Sequence, residues 1–278
     1  MAGRTACRYL LLVVLFTGCE VEPLEVIFHP SVETRVRESL NLPSPDSLRG
    51  LSLPFRFAVF ADVHIGEEGG CYLNQFARAV DSLNIDFFCV GGDLTHYGSI
   101  AEYDSVATLF RAITPFFVTL GNHDLYSSGS WQKFKEIFGP SCYAIKVANS
   151  LKLIFLDTGE GRLGANQFDF LERELADSNG IRVVITHFPL YDDETPSIFR
   201  LASNAERAKL QSLLQRYRVF AICSGHIHGF RHYDIGGVHH FTIGTMSRKL
   251  DFGEPGFLLF ECATDTIKWQ FVRFGAGQ

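Results

Sequence analysis

Short apolar runs recur along this 278-residue chain, and nearly every one ends in a cluster of Asp, His, Asn or Gly. That alternation is the strongest constraint on the fold. Apolar runs separated by stretches with helical spacing build layered α/β sheets and leave polar chemistry on the loops beyond the strand ends. Residues 55–61 read as a strand, after which Leu73, Phe76, Ala77, Val80 and Leu83 recur at helix spacing. The same reading gives strands at 85–90 and 115–120, a helix at 100–113 and a short helix at 131–138. Runs 142–147 and 151–156 turn at Asn149-Ser150 as a hairpin, so their sheet has mixed pairing. A helix at 167–177, a strand at 181–186 and a helix at 205–217 follow. Strands at 219–223, 230–234, 238–243, 256–262 and 266–272 complete the chain, the last two turning at Thr264-Asp265. The 26 Phe residues suggest aromatic strand packing between layers, and no repeat or internal linker divides the domain.

The amino-terminal part differs. Arg4 and Arg8 precede an apolar run at 9–16, too brief for a bilayer span of about 20 residues but suited to a secretory leader. Leu15-Phe16-Thr17-Gly18-Cys19 resembles a bacterial lipoprotein signal with Cys19 as the lipidated mature terminus; a plain signal peptide is the alternative. Residues 1–18 are therefore read as a signal peptide. Residues 19–53, with Pro23, Pro30, Pro43 and Pro45 and no sustained period, read as a tether or irregular segment, and 54–278 as the domain. This places the protein in a bacterial cell envelope, exported and anchored to the membrane through lipid on Cys19, or else secreted. Losing Arg4 and Arg8 takes the net charge from -6 to -8, and the scattered basic residues offer no groove for a nucleic-acid backbone. Among the other cysteines, Cys89, Cys223 and Cys262 lie in apolar runs, while Cys71 and Cys142 are the pair open to a disulfide.

Five strand ends carry the chemistry. Asp62-Val63-His64 offers a hard oxygen and an imidazole from alternate positions of an extended segment. Gly91-Gly92-Asp93 places a carboxylate just past a strand, where one oxygen can face each of two cations. Gly121-Asn122-His123-Asp124 supplies an amide oxygen and a ring, His187 ends the strand at 181–186, and Gly225-His226-Ile227-His228 gives two histidines at i and i+2. Each motif alone has an ordinary structural explanation as a turn, cap or strand-end residue. Their recurrence at matching strand ends favours metal binding.

In this order, the five motifs resemble the calcineurin-like metallophosphoesterase family over about residues 57–260. The resemblance implies an α/β fold, a four-layer αββα sandwich of two facing mixed sheets with the site on loops between their edges. It implies two metal ions, one held by Asp62, His64 and His228, the other by Asn122, His187 and His226, with Asp93 bridging both. Mn or Fe is expected first, and Zn, Ni, Co or Mg are compatible with a thiolate-free set of N and O donors. A hydroxide bridging the ions is then the nucleophile toward phosphorus, consistent with the charge of two close cations lowering the pKa of shared water. His123 resembles the family's non-ligand catalytic histidine, with Asp124 orienting its ring or capping the segment at Leu125. Thr95 and Tyr97 are expected to shape the surroundings.

The activity so implied is metal-dependent hydrolysis of a small phosphoester. Members of the purple acid type carry a Tyr three residues beyond the bridging Asp; here that position is His96. Gly92-Asp93-Leu94-Thr95 is more similar to the cyclic-nucleotide phosphodiesterase branch, which makes a phosphodiesterase the first expectation. A phosphomonoesterase and a non-catalytic metal-binding envelope protein are the alternatives. His96 reads as an outer ligand, a phosphate contact or a rim histidine. Residues 189–205 follow His187 and form a candidate substrate wall, where Phe188, Tyr191 and Phe199 could stack a base or simply pack. Arg200 and Arg231 offset phosphate charge or lie in solvent, and His232, His239 and His240 read as cross-strand or surface residues.

Overall fold

The phenylalanines explain how both faces of a sheet are buried. In β1 (Phe55–Phe60), β2 (Phe87–Gly91) and β3 (Phe116–Thr119), successive side chains point to opposite faces, and here both faces are apolar. Phe57 stacks on Phe87 and Phe117 meets Phe87 edge-on in one row, with Phe117 6.2 Å from Phe155 of the opposing sheet. Phe60, Phe88 and Phe116 turn the other way onto Phe76 and Phe110 of α2 (Leu73–Leu83) and α3 (Ile100–Arg111). The structure, a computed structural model, describes residues 29–275 apart from 46, 47, 49, 178, 179, 250–252 and 265. The expected leader, Cys19 and its lipid anchor lie outside the described residues.

The first sheet runs β11-β10-β1-β2-β3, where β10 is Gly256–Cys262 and β11 is Ile267–Arg273. Its β1, β2 and β3 are parallel, and β10 and β11 add antiparallel edges. The second sheet is assembled from β4 (Tyr143–Val147), β5 (Leu151–Phe155), β6 (Ile181–Ile185), β7 (Ala221–Ser224), β8 (Arg231–Ile235) and β9 (Val238–Thr242), in the order β4-β5-β6-β7-β9-β8. Its β5, β6, β7 and β9 are parallel, flanked by antiparallel β4 and β8. One apolar cluster fills the space between the sheets and beneath α2, α3 and α4 (Ser130–Phe138). A second joins the outer face of the second sheet to α5 (Ala165–Ala176) and α6 (Asn204–Arg216). The result is the expected α/β sandwich of two mixed sheets flanked by helices. Among the described residues no helix is long and apolar enough to cross a membrane.

One expectation is corrected, and one open pairing is answered. Within the segment expected to be irregular, residues Val32–Leu40 form a helix, α1, capped by Ser31. Its buried face is Val32, Arg35, Val36 and Ser39, a helical i, i+3, i+4, i+7 stripe in which polar residues occupy two of four positions and so erase the apolar signal. Arg35 is fully buried; its Nε and terminal nitrogen donate to the two oxygens of Asp157 at 2.9 and 2.8 Å, and a third nitrogen donates to Glu160 at 2.7 Å. Cys71 and Cys142 are unpaired. Cys142 packs with Val36 and Ile154 in the outer cluster, whereas Cys71 pairs by its backbone with Ser247 beside the inner one.

Burial of the guanidinium is tolerated because Asp157 supplies a bidentate, fully buried counter-charge. Arg35→Ala strips that carboxylate of its cation while Ser141 and Gly159 still donate to it. We expect a loss of about 3–5 kcal/mol in denaturant unfolding; a loss below about 1 kcal/mol, the range of an exposed ion pair, would show that α1 is not locked through Arg35.

Candidate metal centre

Six parallel strands deliver polar loops to one edge of the sandwich. Asp62 and His64 follow β1, Asp93 follows β2, Asn122 and His123 follow β3, His187 follows β6, and His226 and His228 follow β7; β5 leads to Asp157 and Thr158. The loops are knitted by their backbones. The Asp62 N–H donates to the Gly92 carbonyl at 3.1 Å, and those of Val63 and His64 donate to the Asp93 carbonyl at 2.8 and 3.1 Å. Two glycines permit this close approach. A Cβ on Gly121 would fall 2.1 Å from Asp93 Oδ1, and one on Gly92 would fall 2.6 Å from the Gly121 nitrogen. Asp62, His64, Asp93, His226 and His228 all have positive φ, between 48° and 71°, a conformation that non-glycine residues adopt at a cost.

The side chains converge. One donor atom each from Asp62, His64 and His228 lie within 4.8 Å of one another, and so do those of Asp93, His187 and His226. Asp93 joins the two trios through a single oxygen: Oδ2 is 3.3 Å from His187 Nε2 and 3.7 Å from His64 Nε2. Asn122 Oδ1 lies 3.0 Å from His187 Nε2, beside the second trio. Asp62 Oδ1 is 3.5 Å from His228 Nε2. All seven residues singled out as ligand candidates are thus gathered at one place.

This donor set fits a pair of cations. His64 Nε2 and His228 Nε2 face each other at 3.2 Å, while His64 Nδ1 is buried without a hydrogen-bond partner. Two imidazole nitrogens aimed at one point can share one proton, or both can donate lone pairs to a cation. His187 Nδ1 is 2.9 Å from the Gly91 carbonyl oxygen; since a carbonyl only accepts, that nitrogen carries the proton and Nε2 is turned to Asp93. With only the protein's own charges acting, burial holds His64 and His226 well below the ordinary histidine range, which keeps their lone pairs available. Burial also disfavours a charged His187, but the Asp93 carboxylate outweighs it and pushes the ring up to about 9. Burial opposes ionisation of Asp93 in turn, yet His187 and His123 hold its carboxyl well below the usual range.

His123 stands over this centre, its ring 4.5 Å from that of His64. Its Nδ1 donates to the His96 carbonyl at 2.8 Å and its backbone N–H to Asp93 Oδ1 at 2.9 Å. The expectation that Asp124 orients this ring is corrected, because a backbone carbonyl does so. Asp124 is fully buried and accepts from the N–H groups of Leu94, Thr95 and Gly121 and from the Thr95 hydroxyl. It therefore ties the loop after β2 to the loop after β3. Burial and then the charge of Asp93 push its carboxyl up to about 6. Tyr97, 45% exposed, covers His96 edge-on at 4.3 Å.

Several contributors have no sequence signature. Thr158 accepts the N–H groups of His187 and Phe188 on its hydroxyl, and Tyr126 accepts from Asn122 Nδ2 at 2.9 Å. Glu67 lies 3.9 Å from His96. Only the short 3-10 turn His123–Leu125, which carries Asn122 and Tyr126 to one side, could have suggested the Tyr126 contact from spacing. Beyond His187, the Phe188 and Phe199 rings lie 3.9 and 5.8 Å from His226, whereas Tyr191 packs on Tyr233. Arg231 pairs with Glu194 at 2.7 Å. His232 and His239 meet across β8 and β9, their ring nitrogens 3.0 Å apart, away from the centre.

Comparison with known proteins supplies the family. The calcineurin-like phosphoesterase model matches residues 55–230. A probable cyclic nucleotide phosphodiesterase of Vesicomyosocius okutanii is 25% identical over 208 residues, 72% of this chain and 88% of that protein. Among solved structures, the purple acid phosphatase PPD1 of yellow lupin superposes with a TM-score of 0.67 at 18% identity over 84% of this chain. This chain spans about half of that protein, covering 54% of it. A dimetal phosphatase of Danio rerio superposes with a TM-score of 0.64 at 14% identity, over 79% of this chain and 96% of that one. With a family model over most of the chain and two clustered His/Asp groups beneath it, this protein belongs to the calcineurin-like phosphoesterases and is a metal-dependent hydrolase by fold and centre.

Proposed function

We propose that this protein hydrolyses small phosphoesters with two metal ions, Asp62, His64 and His228 holding one, Asn122, His187 and His226 the other, and Asp93 both. The observation that carries the proposal is the single Asp93 oxygen lying between the two trios. Imidazoles, carboxylates and one amide oxygen without a thiolate suit Mn or Fe first, and Zn as well. When bound, the ions supply Lewis-acid charge to the phosphoryl oxygens and activate the water that attacks phosphorus.

The chain's own residues do the rest. Burial of Asp62, Asp93 and His187 keeps bulk water from competing with the substrate for the site's charge. His123 has its Nδ1 proton engaged by the His96 carbonyl, so the doubly protonated ring meets the leaving oxygen through Nε2, gives it the Nε2 proton and is left neutral. Asp124 keeps the loops carrying Asp93 and His123 in register. Phe188 and Phe199 give the His226 side an apolar surface suited to an organic leaving group. The likeness to a protein named a probable cyclic nucleotide phosphodiesterase makes a phosphodiester our first substrate class.

Two measurements test this. Elemental analysis after reconstitution with Mn is expected to give two ions per chain, and Asp93→Asn is expected to lose at least one of them together with most turnover of aryl mono- and diesters. His123→Ala is expected to keep both ions while kcat falls about 10²–10⁴-fold. No turnover of any ester in the panel by the loaded protein would refute the hydrolase assignment, and turnover of monoesters alone would refute the diester class.

A further inference from the structure

We propose that His96, backed by Glu67, is a substrate-positioning residue that receives a non-bridging phosphoryl oxygen alongside His123. The inference builds on the phosphoesterase reading above. One ring nitrogen each of His64, His96 and His123 lie within 4.8 Å of one another, so His96 reaches the same space as the proton-donating ring. The ring planes of His96 and His123 are nearly parallel, 27° apart with centroids at 5.4 Å.

The ring of His96 is held rather than loose. Its backbone is fixed from both directions: the N–H donates to the Ile65 carbonyl at 2.9 Å, and the carbonyl accepts from His123 Nδ1. Tyr97 covers the ring at 4.3 Å. Its Nδ1 is buried and unpartnered by any hydrogen bond, with Glu67 Oε1 3.9 Å away. Glu67 is itself fixed by the Ser247 hydroxyl and lies 3.8 Å from Lys249. A carboxylate behind an imidazole orients the ring and raises the basicity of its front nitrogen, and with a second proton on the ring that front nitrogen donates to an oxyanion.

An oxyanion suits this point better than a third cation. His64 is committed to the trio with Asp62 and His228, which leaves only two imidazoles and no converging carboxylate to offset another positive charge. A cation there would be repelled by two neighbouring ions, while a phosphoryl oxygen would be attracted by them and by two donors.

The test uses the full metal-loaded protein, with inorganic phosphate as the binding probe. His96→Ala is expected to weaken phosphate binding about 10–100-fold, the equivalent of one charge-assisted hydrogen bond, and to raise KM more than it lowers kcat. Both ions should remain by elemental analysis. His96→Gln, which keeps a donor, should recover part of the affinity, and Glu67→Gln should weaken phosphate binding less than His96→Ala. Loss of an ion in His96→Ala would make the residue a ligand, and unchanged phosphate affinity in both His96 variants would make it a rim residue; either overturns the proposal. Failure of the loaded wild-type chain to bind phosphate or turn over any ester would instead sink the phosphoesterase reading itself.

Discussion

The whole centre depends on where one carboxylate sits. Asp93 lies at the end of a central strand, with one oxygen fixed by the His123 N–H and the other facing His64 and His187. A carboxylate with its two oxygens assigned to different tasks cannot swing without losing one of them. The glycines at 92 and 121 exist in that geometry because no side chain fits between Asp93 and the neighbouring loop. The buried Asp124 then fastens the same two loops from below, so that the distance from Asp93 to His123 is set by a network of four donors rather than by one contact.

Such a placement is strained. Five of the nine non-glycine residues with positive φ among the described residues are candidate ligands, each costing about 1–2 kcal/mol relative to ordinary backbone. Something must oppose roughly 5–10 kcal/mol of local cost. The interior does so: burying one Phe side chain contributes about 1.5–3 kcal/mol, and the first sheet buries Phe on both faces. The abundance of Phe is therefore connected to the site, since a double-sided apolar sheet holds rigid the strands from which strained loops project.

Much of this was legible in the sequence because it follows from period and position. Strands such as Phe87–Gly91 and helices such as Leu73–Leu83 carry unbroken apolar patterns, and each ligand candidate sits just past a strand. What escaped notice has polar residues where a pattern needs apolar ones. In α1 the burial stripe contains Arg35 and Ser39, whose partners Asp157 and Ser141 lie more than a hundred residues away. The role given to Asp124 failed for a related reason: adjacency in sequence suggested that it served His123, while the fold turned it toward the N–H groups of three other residues. Thr158 and Glu67 act through contacts that only the assembled loops create.

Net charge and substrate charge also come into agreement once pairings are known. By formal count alone, a chain of charge -6 with an acidic loop at 192–194 has the wrong sign to attract a phosphoester. Yet Asp192 is fully buried and accepts from Thr195 and Tyr233, Tyr233 also donates to Asp193 at 2.6 Å, and Glu194 is bound to Arg231. Those carboxylates are engaged with the strand beside them, and the rings that approach His226 from this region are aromatic. The field at the centre is thus set by its histidines, its two carboxylates and whatever cations they hold, over distances well inside the Debye length of about 8 Å at physiological salt. Exposed acidic residues farther out are screened, so an acidic protein can bind a small anion without a basic surface to guide it.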